Sequence, residues 1–309
     1  MVKFLVKNIL FSCLAAFLLS IPLVSILAMD SFDIKEEVVS AKSITPKTQA
    51  EAKDIVISTT EKVYAQINRN WHYVPAGLNQ MKTESAFWEP KWVNIEGISA
   101  PTLILQTSPE TLMDALQDLI KKPALLECTI ALTTVKIFCL RELFGPDQFN
   151  HYATEFFKIL QDDLTFKTED FFHELPNQFL TRVQGESAIP GSITYITNLP
   201  NYASFKPQGN ARGSNVVCTA PSQYLGFSAI YRTGPQSIVV IESQDLDLYC
   251  DPTDVERNHE EHARLSKIFK RTPSLFVESR RKAQQEIDFY QFFDLEELQQ
   301  FVEKGEIYT

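Results

Sequence analysis

The 309-residue chain is 44% hydrophobic and 22% charged, with 10 Gly and 16 Pro, which excludes a disordered, collagen-like or low-complexity protein. Its formal net charge of −10 argues against nucleic acid and against an anionic membrane surface as main partners. The 22 Phe residues supply apolar volume for a sizeable core.

Residues 1–28 differ in kind from the rest. Lys3 and Lys7 precede a nearly unbroken apolar run that ends at Ala28. A basic start, an apolar middle and a small residue at the end describe a secretory signal peptide. The run is also long enough to span a bilayer, so an uncleaved anchor is the alternative. Cleavage removes Lys3 and Lys7, takes the net charge from −10 to −12, and leaves a chain without stable membrane insertion, periplasmic or secreted. Residues 29–50 are polar and read as a flexible lead-in.

From Glu51 to Asn68 the apolar positions Ala52, Ile55, Val56, Val63 and Ile67 follow a helical period. Residues 87–106 read as two strands, the second at Thr102–Gln106, and Ser108 caps a helix carrying Leu112, Leu116 and Ile120. Residues 123–145 form the most informative segment. Pro123 suits a first turn, Gly145-Pro146 stops the helix, and Leu126, Ile130, Leu132, Val135, Phe138 and Leu140 leave it apolar nearly all round. Such a helix is buried in a larger core. An amphipathic helix follows over 147–160.

From Ile189 to Ile241 the character changes to short β-rich runs at 192–199, 214–220, 224–232 and 237–243, punctuated by turn residues. They predict an antiparallel sheet beside the Cys128 helix, an α+β arrangement with flanking helices. Past Asp251 the chain is polar and reads as a helical extension, 251–309, after a domain spanning 51–250.

Four cysteines follow the leader: Cys128, Cys139, Cys218 and Cys250. Cys128 and Cys139 lie about 16 Å apart along one helix and cannot bond to each other. A Cys218–Cys250 disulfide stays open. His259-Glu260-Glu261-His262 has the spacing of a metal pair but sits in a charge-rich helix, which favours a solvated face.

A Cys early in a buried helix that faces an antiparallel sheet is the layout of papain-like cysteine chemistry. The helix start stabilises the thiolate, and a base takes the thiol proton. The segment LLECTIALTTVKIFCLRELFGPDQFN resembles the nucleophile region of the spore-coat type protein-glutamine gamma-glutamyltransferases, in which a Glu-Cys pair opens a long apolar helix. GSITYITNLPNYASFKPQGNARGSNV resembles that family's Tyr-aromatic-x-Asn strand and Gly-x-Asn-Val, and QYLGFSAIY stands where the family has a Tyr-aromatic-Ala-His strand. The resemblance covers roughly 87–231, about half the chain. It implies a papain-like core, Cys128 as the nucleophile, Glu127 as the acid beside it, and Asn215 in the neighbouring turn. Its implied substrates are protein Gln and Lys side chains, with no cofactor and no metal. Three positions depart from the family: Ser214 replaces an acid, Phe227 replaces the expected His, and Gly191-Ser192 stands where the family has a Gly-Asp turn. His173, His151 and Glu127 itself are the candidate replacement bases. A protein that keeps the fold and binds without turnover is the alternative, as is a thiol amidase, peptidase or deamidase.

Overall fold

The computed structural model of the chain describes residues 44–74, 80–95, 98–106, 111–162, 171–184, 188–209, 211–287 and 289–304. The predicted signal peptide and most of the predicted lead-in lie outside them. The first described residues already belong to the core. Ile44 is buried, and the Thr45 amide donates to the Leu143 carbonyl at 2.8 Å.

Helix α1 (Gln49–Asn70) opens at Thr48, whose hydroxyl accepts from the Glu51 amide. It buries Ala52, Val56, Val63, Tyr64 and Ile67 on one face. Strands β1 (Trp71–Tyr73) and β2 (Lys82–Thr83) follow, then the antiparallel pair β3 (Trp88–Ile95) and β4 (Ile98–Leu105). Helix α2 (Leu112–Lys121) starts at a capping box made by Thr111 and Asp114; Ser108, its expected cap, lies outside the described residues.

The next segment corrects the sequence reading in a way that matters for the site. Residues Ala124–Leu126 form strand β5, parallel to β1 and antiparallel to β2. Hydrogen bonding on both edges outweighs the weak helical preference of a three-residue Ala-Leu-Leu run. Helix α3 therefore runs Cys128–Phe144, and Cys128 is its first residue. Buried residues surround the helix, which packs on α1, on the following helices α4 (Pro146–Asp162) and α5 (Phe171–Asn177), and on the sheet beyond.

That sheet has six antiparallel strands: β6 (Leu180–Gln184), β7 (Ile193–Thr197), β8 (Gly213–Ala220), β9 (Gln223–Gly226), β10 (Gln236–Ser237) and β11 (Phe289–Phe293), in the order β10-β9-β8-β7-β11-β6. A short helix α6 (Tyr202–Phe205) joins β7 to β8, and helices α7 (Ile238–Cys250), α8 (His259–Arg271), α9 (Pro273–Ile287) and α10 (Leu295–Lys304) complete the described residues. The architecture is α+β with antiparallel sheets. No helix among the described residues is long and apolar enough to cross a membrane.

Four expectations are corrected here. The run 224–232 leaves the sheet after Gly226 and turns through a 3-10 segment at Ala229–Thr233. The β-branched run 237–243 is the start of α7. Ser237 accepts from the Val240 amide as an N-cap, and Ile241, Glu242, Asp245 and Tyr249 recur at helical spacing on the buried side. The polar C-terminal stretch contributes β11, which lies between β7 and β6 inside the sheet. His262 is buried, not solvated: its Nε2–H donates to the Tyr249 carbonyl at 2.5 Å, and Phe205 packs against its ring. The four described cysteines, Cys218 and Cys250 among them, are free thiols.

Helix α3 also buries Lys136, whose Nζ donates to Asn177 Oδ1 at 3.2 Å and pairs with no described acid. Burial lowers its pKa from 10.5 to about 8. Below pH 8 the ammonium is charged in folded and unfolded chains alike, and its burial costs about 3 kcal/mol. Between pH 8 and 10.5 the unfolded chain binds the extra proton, so stability rises with pH across that window. Lys136→Met is expected to raise stability at pH 7 by roughly 1–3 kcal/mol and to flatten the rise above pH 8, as chemical denaturation at a series of pH values would measure.

Candidate active site

Strand β5 ends at Leu126, and the chain turns at once into α3 through Glu127. This residue is the N-cap of the helix. Its extended backbone (φ −91°, ψ 159°) turns the carboxylate back over the first turn. Glu127 Oε2 accepts from the Thr129 amide at 2.6 Å, and Oε1 accepts the Cys128 thiol proton at 2.8 Å. Glu127 is itself buried, and among the described residues no Lys or Arg pairs with it. Its two oxygens are taken up by the helix start and the thiol.

Opposite stands β8. Asn215 Nδ2 lies 3.5 Å from Cys128 Sγ and 3.3 Å from Thr129 Oγ1. Asn215 pairs with Tyr195 on β7, which brings that phenol to the same part of the sheet. Gly213 makes this fit possible. A Cβ there would sit 2.4 Å from Tyr195 Cζ and 2.6 Å from the Ile196 carbonyl oxygen, so only glycine lets the ring cross the strand.

Cys128 opens into a cavity of about 320 Å³, whose walls include Ser214, Asn215, Phe227, Tyr231 and Asp245. Phe227 is buried and stands edge-on to Trp71 and Tyr73, each with its ring centroid 6.0 Å away. The position where the family resemblance expects an imidazole is thus part of an aromatic wall beside Cys128. His151 is exposed on α4, and the side chain of His173, on α5, lies outside the described residues. Among the described residues, the histidine that lines the cavity is His72 on β1. Its Nδ1 faces Arg232 Nη2 at 3.2 Å, with the guanidinium as the donor. Nothing in the sequence singles out His72, far upstream of Cys128; the β1–β5 pairing brings it there.

Two effects compete over the Cys128 thiol. The start of a helix favours the thiolate. Burial, with only 8% of the residue exposed, and the adjacent Glu127 carboxylate favour the thiol. The second pair wins: burial first, then Glu127, push the thiol well above its ordinary range, against a smaller downward pull from Asn215. Burial likewise raises the phenols of Tyr64, Tyr73, Tyr195 and Tyr231, so all four keep their protons at neutral pH. The resting site is a neutral thiol bonded to a carboxylate, enclosed by protonated phenols. Such a site can pass one proton from sulfur to carboxylate as the sulfur attacks an electrophile.

The sequence-predicted residues Cys128, Glu127, Ser214, Asn215 and Phe227 therefore meet in one place. Sequence reasoning missed Asp245, Tyr231 and the His72–Arg232 pair. Compared with protein-family models, curated proteins and solved structures, the chain gives no match.

Proposed function

We propose that the chain is an exported cysteine acyltransferase of the transglutaminase type, with a papain-like arrangement of helix and sheet. The observation that carries this reading is the Cys128 thiol donating to Glu127 at 2.8 Å on the first turn of a buried helix. Cys128 Sγ attacks the carboxamide carbon of a protein glutamine while Glu127 Oε1 takes the thiol proton. Asn215 Nδ2 lies beside the sulfur and donates to the oxygen that becomes negative. The C–N bond then breaks, Glu127 returns the proton to the leaving nitrogen, and ammonia departs. This leaves a γ-glutamyl thioester on Cys128. A primary amine attacks the thioester, its proton passes through Glu127 to sulfur, and an isopeptide bond forms. Burial of the thiol limits water at the thioester, which favours an amine acceptor over hydrolysis.

A second reading rests on the same burial. A thiol held protonated, with Phe227 in place of an imidazole, suits a protein that keeps the fold and binds glutamine-bearing partners without turnover. Incorporation of a labelled primary amine into a glutamine-rich protein separates the two. The expected result is incorporation by the wild-type chain and none by Cys128→Ala. Absence of incorporation, with Cys128 inert to iodoacetamide in the folded protein, would move the assignment to the binding protein.

A further inference from the structure

Among the described residues the Cys128 cavity has one acidic wall residue, Asp245 on α7, and the acyl-transfer chemistry above leaves it without a role. Its carboxylate is built in. Arg280 Nε on α9 donates to Asp245 Oδ2 at 3.0 Å, and the Asp245 carbonyl accepts from the buried Asn198 Nδ2 at 3.4 Å. Arg280 is buried at 1% exposure and also reaches Glu242 Oε1 at 3.4 Å. Arg281 answers Glu242 through both of its oxygens, at 2.8 and 3.0 Å. Asp245 and Glu242 balance Arg280 and Arg281 in charge; the other three hold Asp245 in place, and Asp245 is among the residues that line the cavity. Ile241, Leu248 and Tyr231 give the cavity an aliphatic and aromatic part, and Gln244 and Arg232 also stand in its wall. Burial, opposed by Arg280, raises the Asp245 carboxyl from 3.8 to about 6, which makes it a stronger proton acceptor than a surface carboxylate. Asp245 and Cys128 both act electrostatically on the phenols of Tyr195 and Tyr231.

Resting on the acyl-transfer reading, we propose that Asp245 is the acceptor residue of the site: a primary alkylammonium, such as a lysine side chain, enters the Cys128 cavity and pairs with the Asp245 carboxylate. The methylene chain of such an acceptor matches the apolar part of the wall, and its cation matches the one acid among the described residues that line the cavity. The ammonium gives one proton to Asp245, and the free nitrogen lone pair forms a C–N bond to the thioester carbon. The C–S bond breaks, the second nitrogen proton reaches sulfur by way of Glu127, and Asp245 returns its proton to solvent. No oxidant, reductant or metal takes part.

The test compares two acceptors at pH 7 on one glutamine-peptide donor: cadaverine, which is cationic, and hydroxylamine, which is neutral. The readout is the ratio of their incorporation rates within each protein, so a reduced folded fraction cancels. Asp245→Asn is expected to lower the cadaverine-to-hydroxylamine ratio about 10–100-fold, and Asp245→Glu to restore part of it. An unchanged ratio in Asp245→Asn would overturn the proposal. Should that variant fail to fold, the wild-type protein decides: equal use of an alkylammonium and a neutral hydrazide of the same length would also overturn it. Failure of the acyl-transfer reading looks different, since the wild-type protein would then release no ammonia and modify neither acceptor.

Discussion

Glu127→Gln is expected to lower acyl transfer by about 10²–10⁴-fold while making Cys128 easier to alkylate. The two effects have opposite signs because the carboxylate does two things. As the acceptor of the thiol proton it is the base of the reaction. As a negative charge 2.8 Å from sulfur it raises the thiol pKa, the largest influence after burial. A neutral amide removes both. The alkylation-versus-pH curve of the variant should therefore shift to lower pH, and iodoacetamide should react faster at any pH below the wild-type midpoint. The amide oxygen can still accept from the Thr129 amide, so the cost to helix capping stays near or below about 1 kcal/mol. Parallel stopped-rate alkylation and amine-incorporation assays would check the pair. Slower alkylation together with slower transfer would mean that Glu127 only shapes the helix start.

Phe227→His carries the second large effect. The ring lines the cavity that holds Cys128, between Trp71, Tyr73 and the sheet. An imidazole there supplies a base with an ordinary pKa near ~6.5, and its protonated form favours the thiolate. Alkylation at pH 7 is expected to rise by about tenfold or more, with a new inflection in its pH profile in the histidine range. Replacing a buried Phe by a polar ring is expected to cost roughly 1–3 kcal/mol of stability, which thermal unfolding would register. A folded variant with unchanged alkylation would show that position 227 does not communicate with the sulfur.

The legible part of this protein is the part in which pattern and burial agree. The apolar positions from Ile130 to Leu140 announced a buried helix, and α3 is one, while the start expected at Pro123 gave way to strand β5. The runs around Tyr195 and Val216 announced paired strands, and β7 pairs with β8 in register. The run 237–243 misled because Ile, Val and Val resemble a strand. One serine cap and a buried face at helical spacing decide for α7, and Val239 is left 65% exposed. Phe289–Phe293 was hidden in a polar context, although four aromatics in five residues favour a strand, and it pairs with β6 and β7. The chemistry divides in the same way. Glu127 and Cys128 are adjacent in sequence, so their bond needs only a helix start. Asp245 reaches the cavity through α7 and is held by an arginine 35 residues later, a pairing that no local pattern announces.

The central claim is a covalent acyl-enzyme on Cys128, and intact-mass measurement after acid quenching of the chain with a glutamine-containing peptide tests it most directly. The expected result is an adduct equal to the peptide less ammonia, absent from Cys128→Ala and removed by hydroxylamine. A folded wild-type chain that forms no adduct and releases no ammonia would contradict the account.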